Sequence, residues 1–540
     1  VISSLSRDLS GSTRGLERSF ASLRMTEGGK VQICYSTRMT LALISFGIFT
    51  VLELALWIKP IWQYRRITAS VTLLGLSVSI GFIFGLKPSI WTGLFLIFGV
   101  YRMINLLRII EGRSNADHLY KVARNSSLLL ISAQIILLLV TYLFDDISMQ
   151  TSSAWYLLAC SQLIAAIFIF SVTKRNLRLS TAPKINKKHS DKDLPTVTVA
   201  IPARNETEDL KACLQTLVAT DYPKLEIIVL DDCSQDKQIP EIIKDFAHDG
   251  VRFLQGQVPP ERWLAKNYAY QQLYEAANGE VLLFCGVDTR FEPASIRQMI
   301  ELMMQKNKNM VSLIPVNKIP GKYQMENLFV QPGRYSWELA LPRRFLNRPP
   351  VLSTCWLITK DAINAAGTFK AISHSNSPES FFARYTALHQ DAYSFMISDK
   401  SIGLRSIKSF NEQRATAIRT RYPQVHRRPE IVAVLSIAIV SILVIPFLAF
   451  WISIYTANWS LALGYAITCA FLIGFYFSIV KLTYRKALWR GVWLLPFAAI
   501  YDIGLLNYSM WQYEFREVIW KDRNVCVPIM RTYPKLPDTK

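Results

Sequence analysis

The stretch Thr196–Arg290 decides the fold, because it contains three apolar runs of strand length that each end in polar residues. The runs are Val199-Ala-Ile-Pro-Ala-Arg-Asn-Glu206, Ile227-Ile-Val-Leu-Asp-Asp-Cys-Ser-Gln-Asp236 and Val281-Leu-Leu-Phe-Cys-Gly-Val-Asp-Thr-Arg290. Helical patterns follow at 207–219, 238–248 and 293–306. Strands that alternate with helices predict an α/β domain with a mostly parallel sheet.

Polar side chains stand at the ends of these three runs, namely Arg204, Asn205, Asp231, Asp232 and Asp288. Sheets of this kind bind their ligands at the carboxyl ends of the strands. We therefore expect these side chains to meet at one edge of the sheet and to form a binding site there.

Four ordered signatures resemble those of family 2 glycosyltransferases with the GT-A fold. They are Pro-Ala-Arg-Asn-Glu at 202–206, Asp-Asp-Cys-Ser at 231–234, Trp263-Leu-Ala-Lys-Asn-Tyr268 and Gly-Val-Asp-Thr-Arg at 286–290. The resemblance covers Leu194–Pro423 and extends more loosely to the flanking apolar segments. It implies an enzyme that moves a sugar from a nucleotide-diphosphate sugar, most often a UDP-sugar, to an acceptor.

Composition indicates a membrane protein with a basic domain. The chain has 540 residues, of which 51% are hydrophobic, yet its net charge is +21. Nucleic-acid binding is the rival explanation of the charge, but the sequence has no zinc-ligand spacing, helix-turn-helix pattern or aromatic–glycine RNA motif. An anionic membrane surface and a phosphate-bearing substrate explain the charge better.

The N-terminal part is predicted to be a disordered basic segment at 1–38 followed by a transmembrane region at 39–173. About five apolar stretches of spanning length make up that region: Met39–Trp62, Val71–Trp91, Thr92–Ile110, Leu128–Phe144 and Trp155–Val172. A linker at 174–193 follows, with seven Lys or Arg residues. Because positive charge collects on the inner side of membranes, the next domain is predicted to be cytoplasmic.

The GT-A domain is predicted at 194–430, inserted between the N-terminal and C-terminal transmembrane helices. Two or three C-terminal helices are expected in 431–515, and a basic tail occupies 516–540. Three spans would put that tail on the side opposite the domain, against the charge rule. One of the three segments is therefore expected to lie in the membrane interface.

By resemblance, Glu206 and Asp232 hold the uracil and the ribose of the nucleotide. The loop residues Ala203, Arg204 and Asn205 present backbone and side-chain groups to the base. The alternative is that this loop is simply a helix N-terminus capped by Asn205. Lys266 is placed near the phosphates by a family motif, with an ordinary surface lysine as the alternative.

Asp288 is the predicted ligand of a divalent metal, Mg²⁺ or Mn²⁺. The family usually has Asp-x-Asp at this place, whereas this chain has Gly286-Val287-Asp288. A cation that bridges two phosphates needs few protein oxygens, and one carboxylate with water can hold it.

Two carboxylates are candidates for the general base that removes the proton of the acceptor hydroxyl. The family has Glu-Asp before a helix, and here Glu379-Ser380 matches that position. Either Glu379 is the base, or Asp391 takes that role from a turn further along the chain. A serine alone cannot serve as the base at neutral pH.

The last family element, Gln-x-x-Arg-Trp, is altered to Ile418-Arg-Thr-Arg-Tyr422. Arg419 and Arg421 are predicted to reach the diphosphate, and Tyr422 to stack on the acceptor. A basic amphipathic helix on anionic lipid is the compatible alternative. The insertion Asn317–Pro350 is interpreted either as an interfacial element near the acceptor entrance or as a loop packed on the sheet.

Two classes of function follow from these observations. The first is a membrane-bound inverting glycosyltransferase with a lipid or lipid-linked acceptor, of which a processive polysaccharide synthase is a variant. The second is a non-catalytic membrane scaffold with a degenerate transferase domain. It is supported by Gly286, Ser380 and Ile418, which stand where the family usually has functional side chains. Retention of Asp232, Lys266, Asp288 and Glu379 favours the enzyme.

Overall fold

The computed structural model describes residues 44–57, 61, 64–84, 90–111, 117–143, 152–186, 189–235, 238–261, 263–318, 325–342, 349–389, 392–521 and 523–526. The chain divides into two compact units. The first contains the N-terminal helices together with Arg428–Ala433, and the second contains Met149–Arg427 and Val434–Arg531.

Four helices make up the described core of the first unit: α1 (Ile44–Ala55), α2 (Arg65–Phe84), α3 (Ile90–Ile110) and α4 (Asp117–Leu143). Arg102 is fully buried among them and pairs with Glu53 at 2.5 Å. It also donates hydrogen bonds of 2.9 Å to Gln134 and Thr50. Because every arm of this guanidinium has a partner, the charge inside an apolar bundle is compensated.

The second unit begins with the helix α5 (Ser152–Ser180), which is longer than the sequence predicts. Its last turns take up the first residues of the predicted linker, including Lys174, Arg175 and Arg178. Straight-chain basic residues are good helix formers and extend their charged ends toward water, so the helix continues past its apolar part.

A sheet of seven strands follows in the order β3-β2-β1-β4-β8-β6-β9. The strands are β1 (Val197–Ala203), β2 (Leu225–Asp231), β3 (Val251–Gln255), β4 (Val281–Cys285), β6 (Met310–Ile314), β8 (Cys355–Thr359) and β9 (Tyr393–Ile397). Strands β3, β2, β1 and β4 are parallel, whereas β8 is antiparallel to both of its neighbours. Their nearly continuous apolar sequences fit burial on both faces. A small sheet β5-β10-β7 lies at Thr289–Arg290, Arg405–Ile407 and Val316–Lys318.

Helices cover both faces of the large sheet. They are α6 (Glu208–Val218), α7 (Gln238–Asp245), α8 (Ala265–Ala276), α9 (Ser295–Gln305), α10 (Asn327–Leu339), α11 (Lys360–Ala365), α12 (Pro378–Leu388) and α13 (Phe410–Gln424). Short 3₁₀ turns occupy Ala247–Asp249 and Phe369–Ile372. Aromatic contacts fix α8 and α12 on the sheet, with ring centroids 4.8 Å apart for Tyr270 and Phe284 and 6.1 Å apart for Trp356 and Phe382.

The C-terminal helices are α14 (Pro429–Ile439), α15 (Ile445–Tyr455), α16 (Trp459–Thr483), α17 (Leu488–Val492) and α18 (Leu495–Phe515). A π turn at Val440–Val444 joins α14 to α15, and Arg485–Ala487 forms a 3₁₀ turn. Pro446 lacks the N–H that an uninterrupted helix requires, which explains why the π turn precedes it. A hairpin of β11 (Ile519–Trp520) and β12 (Arg523–Asn524) ends the described chain.

Within the described residues, four helical segments are long and apolar enough to cross a membrane: Gly93–Ile110, Trp155–Ser180, Pro429–Tyr455 and Trp459–Thr483. Two shorter apolar helices are Ile44–Ala55 and Ala123–Leu138. The α/β domain therefore stands between apolar helices on both sides, as the sequence predicts. The insertion Asn317–Pro350 contains α10, a helix rather than a plain loop.

Candidate active site

The loops after β1 and β2 meet at one edge of the sheet, as expected for parallel neighbours. The N–H of Asp232 donates to the carbonyl of Ala203 at 2.8 Å. The N–H of Asn205 donates to Ser234 Oγ at 2.9 Å. Asn205 has a φ of 47°, a left-handed conformation that asparagine adopts more readily than most residues. It is not the cap of α6, because that position belongs to Thr207.

Arg204 is buried and joins these two loops. Its Nη1 donates to the carbonyls of Asp232 and Cys233 at 2.7 and 2.6 Å. Asp232 is also buried, with 4% of its surface exposed. Burial raises the pKa of the Asp232 carboxyl, while the cations Arg523 and Arg204 act in the opposite direction.

Asp288 stands beyond the end of β4 and is held from the small sheet. Ser406 donates its hydroxyl to Asp288 Oδ2 at 2.8 Å, and Ile407 donates its N–H to the Asp288 carbonyl at 2.9 Å. A Cβ at Gly286 would lie 2.5 Å from Asp288 Oδ1. The glycine in the family's first aspartate position thus leaves room for the carboxylate that remains.

A cavity of about 350 Å³ opens in front of these groups. Seven of the residues predicted for the site line it: Ala203, Arg204, Glu206, Asp232, Lys266, Asp288 and Arg419. Lys408, Trp520 and Lys521 line it as well, although no sequence motif singled them out. Its size falls in the range of small-ligand sites.

Several cationic side chains line the cavity, and they have little contact with water. Burial lowers the pKa values of Lys266, Lys408 and Arg419, and repulsion from the nearby cation Arg334 acts in the same direction on all three. The carboxylate of Asp288 opposes this effect at Lys408, and that of Glu379 opposes it at Lys266. Such a cluster gains most from binding a polyanion.

A second cavity, of about 380 Å³, lies beside the first. Its lining includes Trp263, Ser375 and Asn376, and it shares Lys266, Arg419 and Trp520 with the first cavity. These three shared side chains mark the junction at which molecules in the two cavities would meet.

Glu379 lies in the first turn of α12; it lines neither cavity itself but faces Lys266, which lines both. Its Oε2 is 3.7 Å from Lys266 Nζ, and its side chain is only 8% exposed. This oxygen has no hydrogen-bond partner among the described residues. Asn267 fixes the preceding loop by donating to the carbonyls of Ile372 and Ser375, both at 2.8 Å. The other candidate base, Asp391, lies outside the described residues.

Arg419, Arg421 and Tyr422 of α13 do not act together. The Arg419 guanidinium lies 4.5 Å from the ring centroid of Trp520, in the wall of both cavities. Arg421 instead forms a buried ion pair with Asp502 of α18. Residues two apart on a helix differ by roughly 200° in direction, so Arg421 points away from Arg419.

Tyr422 lines neither cavity and is fully buried. The structure does not place it where it could stack on an acceptor, as the sequence predicts. Its hydroxyl donates to the Arg427 carbonyl at 2.8 Å and to Glu514 Oε1 at 2.7 Å. Arg421 and Tyr422 together attach α13 to α18, a structural role that the altered motif does not predict.

A third, apolar cavity of about 170 Å³ lies among the C-terminal helices. Helix α10 connects it to the site: Arg334 donates to Ser353 Oγ at 3.2 Å, and Ser353 lines the first cavity. On the same helix, Gly333 and Trp337 line the apolar cavity. Helix α10 of the insertion thus lines the apolar cavity and also contacts a residue that lines the first cavity.

Comparison with known proteins agrees with this geometry. Residues 198–366 match the family model described as "Glycosyl transferase family 2". The chain contains a family 2 glycosyltransferase domain. The matched range includes Asp232, Lys266 and Asp288, and it ends before Glu379.

Two curated relatives resemble parts of this glycosyltransferase domain. The chain is 29% identical to the probable glycosyltransferase YdaM of Bacillus subtilis (strain 168) over 140 residues. These aligned residues make up 25% of this chain and 31% of the relative. The chain is 33% identical over 99 residues to the glycosyltransferase AglE of Haloferax volcanii, covering 18% and 31%. The chain thus spans about a third of the length of each of these relatives.

Among solved structures, one match is the mannosyltransferase PcManGT from Pyrobaculum calidifontis in complex with GDP-Man and Mn²⁺. It is 14% identical to this chain, with a TM-score of 0.40 over 67% of this chain and 99% of that one. The similarity at this level is too low to carry an argument about ligands.

Proposed function

We propose that this protein is a membrane-bound inverting glycosyltransferase that moves a sugar from a nucleotide-diphosphate sugar to a lipid or lipid-linked acceptor. The observation that carries the proposal is the position of Glu379 Oε2, a carboxylate oxygen without a hydrogen-bond partner in the described chain. It lies beside Lys266, where a cationic cavity and a second cavity meet. A scaffold with a degenerate domain has no need for such a group.

The donor is assigned to the cavity that contains Asp232 and Asp288. Asp232 and Glu206 accept hydrogen bonds from the base and the ribose, and a UDP-sugar is the favoured donor. The diphosphate lies against Lys266, Lys408 and Arg419, whose ammonium and guanidinium groups neutralise its charge.

A divalent metal fits this site with a single protein carboxylate as its ligand. The described residues contain no group of three His, Cys, Asp or Glu side chains that would hold a metal ion by themselves. Asp288 offers one carboxylate, and hard divalent cations often accept one or two protein carboxylates together with phosphates and water. When bound, Mg²⁺ or Mn²⁺ supplies neutralisation of the charge that develops on the leaving diphosphate.

The chemical step requires a base on the acceptor side. The acceptor oxygen forms a bond to the anomeric carbon while the bond from that carbon to the phosphate oxygen breaks. The bonding electron pair leaves with the nucleoside diphosphate, and Glu379 takes the proton of the acceptor hydroxyl. Lys266 balances the charge of Glu379 in the free enzyme and faces the phosphates in the complex.

A lipid acceptor is supported by the apolar cavity beside α10. Its lining includes Ile169, Leu443 and Phe475, from helices of the apolar parts of the chain. The same helix α10 reaches the donor cavity through Arg334 and Ser353. An acyl or isoprenoid chain in the apolar space would bring a polar headgroup toward the site.

The experiment that tests this function is incubation of the detergent-solubilised protein with labelled nucleotide sugars and a lipid extract. We expect label to move into the lipid fraction with one of the nucleotide sugars. Label that stays in the nucleotide fraction with every donor and lipid class, although nucleotides bind, would favour the scaffold instead. A long labelled polymer would identify a processive synthase.

A further inference from the structure

The β-hairpin β11–β12 follows the last helix and returns to the α/β domain. Its strands pair antiparallel, Ile519 with Asn524 and Trp520 with Arg523. Lys521 adopts a φ of 47° where the chain turns. The hairpin is closed further by the N–H of Val525, which donates to the Val518 carbonyl at 2.9 Å.

The hairpin is attached to the loop after β1 by a reciprocal pair of hydrogen bonds. Arg204 Nε donates to the Lys521 carbonyl at 2.8 Å, and Lys521 Nζ donates to the Arg204 carbonyl at 2.9 Å. Since Arg204 also binds the loop after β2, this one buried arginine joins three segments of the site.

The side chains of the hairpin pair with the two carboxylates assigned to the base and the ribose. Arg523 Nη1 donates to Asp232 Oδ1 and Oδ2 at 2.7 and 2.8 Å, and its Nη2 donates to the Asp232 carbonyl at 3.1 Å. Lys521 forms an ion pair with Glu206. Burial and the neighbouring Arg204 lower the pKa of Lys521 to about 8.

Trp520 stands at the junction of the two cavities. Its ring lies under the Arg419 guanidinium at 4.5 Å, and Lys521 Nζ is 5.8 Å from the same ring. The cavity of about 350 Å³ is present with the hairpin docked. The hairpin thus forms a wall of the space and leaves it open.

We propose that this hairpin is a constituent of the donor site, in which Lys521 and Arg523 neutralise Glu206 and Asp232 so that a nucleoside diphosphate binds beside them. Trp520 forms the wall at which donor and acceptor meet. The inference rests on the proposed function, because it concerns the same nucleotide site. Lys521 and Arg523 are positioning residues, since they act through the two carboxylates.

Electrostatics provides the reason for this arrangement. Two unpaired carboxylates in a partly buried cavity would repel the diphosphate, and that repulsion grows as solvent is excluded. An ionised carboxylate offers about four lone-pair sites, so Asp232 still has acceptors for ribose or base donors after it has bound Arg523. The rival explanation is a plug that the nucleotide must displace, and it predicts the opposite change in affinity.

Calorimetric titration of the full-length protein with UDP and GDP distinguishes these possibilities. We expect Arg523→Ala and Lys521→Ala each to weaken binding at least about tenfold, because each removes the cation that pairs with a carboxylate of the cavity. Arg523→Lys keeps the charge but loses the two-pronged contact, so it should restore part of the affinity. The exposed neighbour Arg516 provides the control, and Arg516→Ala should bind like the wild type.

Unchanged or tighter binding by the two alanine variants, with wild-type unfolding temperatures, would overturn the role of the hairpin while the proposed function stands. Binding of neither UDP nor GDP by the wild type would overturn both.

Hydrogen exchange of the backbone at 516–526 provides a second readout that does not depend on any variant. With saturating UDP, exchange in this segment should slow, because the ligand adds contacts to a docked hairpin. Faster exchange would mean that UDP displaces the hairpin, which contradicts the proposal.

Discussion

Glu379 and Lys266 face each other at 3.7 Å between carboxylate oxygen and ammonium nitrogen, from the first turns of two different helices. Lys266 is one of three side chains that line both cavities, and the Glu379 carboxylate lies next to it. In the proposed function, this pair connects the binding site of the phosphates with the site of proton removal. An arrangement of this kind can be tested from either partner.

Replacement of Lys266 by alanine should weaken nucleotide binding by about tenfold or more, because it removes a charge-assisted contact to the phosphates. Transfer should fall further, since Glu379 loses the ammonium group that faces it at 3.7 Å. Lys266→Arg should retain more nucleotide affinity than Lys266→Ala. Calorimetry and a transfer assay measure the two effects, with the exposed Lys211→Ala as the control. Equal loss in the control and in Lys266→Ala would contradict the assignment.

Asp288 should be required for any metal-dependent binding. Asp288→Asn should abolish the difference in nucleotide affinity between samples with Mn²⁺ and samples with a chelator, whereas Asp245→Asn, on an exposed side chain, should preserve that difference. Wild-type transfer that survives complete chelation of divalent metal would show that Asp288 does not act as a metal ligand.

Restoring the family's aspartate at Gly286 should harm this protein. A side chain at that position meets Asp288 Oδ1 at 2.5 Å, so the Gly286→Asp variant must displace the carboxylate that Ser406 holds. We expect transfer to fall by about 10²-fold, the usual effect of a small displacement in an active site. Gly286→Ala should show a smaller effect of the same direction. Improved transfer by Gly286→Asp would contradict this explanation, because it would show that the glycine only removes a useful metal ligand.

The hairpin also bears on membrane topology. Because Arg523 contacts Asp232, the segment after α18 must lie on the same side as the α/β domain, so an even number of crossings is expected after that domain. Single cysteines at Asp191 and Glu517, both exposed, test this in sealed vesicles after Cys34 and Cys160 have been replaced by serine. Both should react with an impermeant reagent only from the cytoplasmic side. Labelling from opposite sides would contradict the arrangement.

The apolar cavity beside α10 should determine the affinity for the lipid acceptor. Ala340 lines it, and Ala340→Phe fills part of a space of about 170 Å³. We expect the KM for the lipid to rise by about tenfold while nucleotide affinity is unchanged, because overfilling a packed space has a moderate cost. Ala219→Phe, at an exposed position of the α/β domain, is the control. An unchanged KM for the lipid would exclude this cavity as its site.

The sequence could predict which residues line the proposed donor cavity where those residues lie at strand ends. Asp232 directly follows β2 and Asp288 lies three residues after β4, and the parallel strands of one sheet bring such residues to the same edge. Glu379 was predicted from its place at a helix start, and the structure adds the contact with Lys266.

The remaining parts depend on contacts between distant positions. Arg523 and Asp232 are 291 positions apart, and only the path of the chain through the C-terminal helices brings them together. The sequence indicated a basic tail there, which predicts contact with lipid as readily as contact with a carboxylate. Arg421 was assigned to the diphosphate because the motif does not tell which face of α13 turns toward Asp502.

The most direct measurement compares transfer and nucleotide binding in wild type, Glu379→Gln, Asp391→Asn and the exposed control Glu208→Gln. If Glu379 is the base, Glu379→Gln loses transfer by about 10²- to 10⁴-fold and binds UDP or GDP like the wild type, because the amide keeps the shape but accepts no proton. Asp391→Asn and Glu208→Gln should then be mild. Retained transfer in Glu379→Gln, together with its loss in Asp391→Asn, would contradict the assignment and give the role to Asp391.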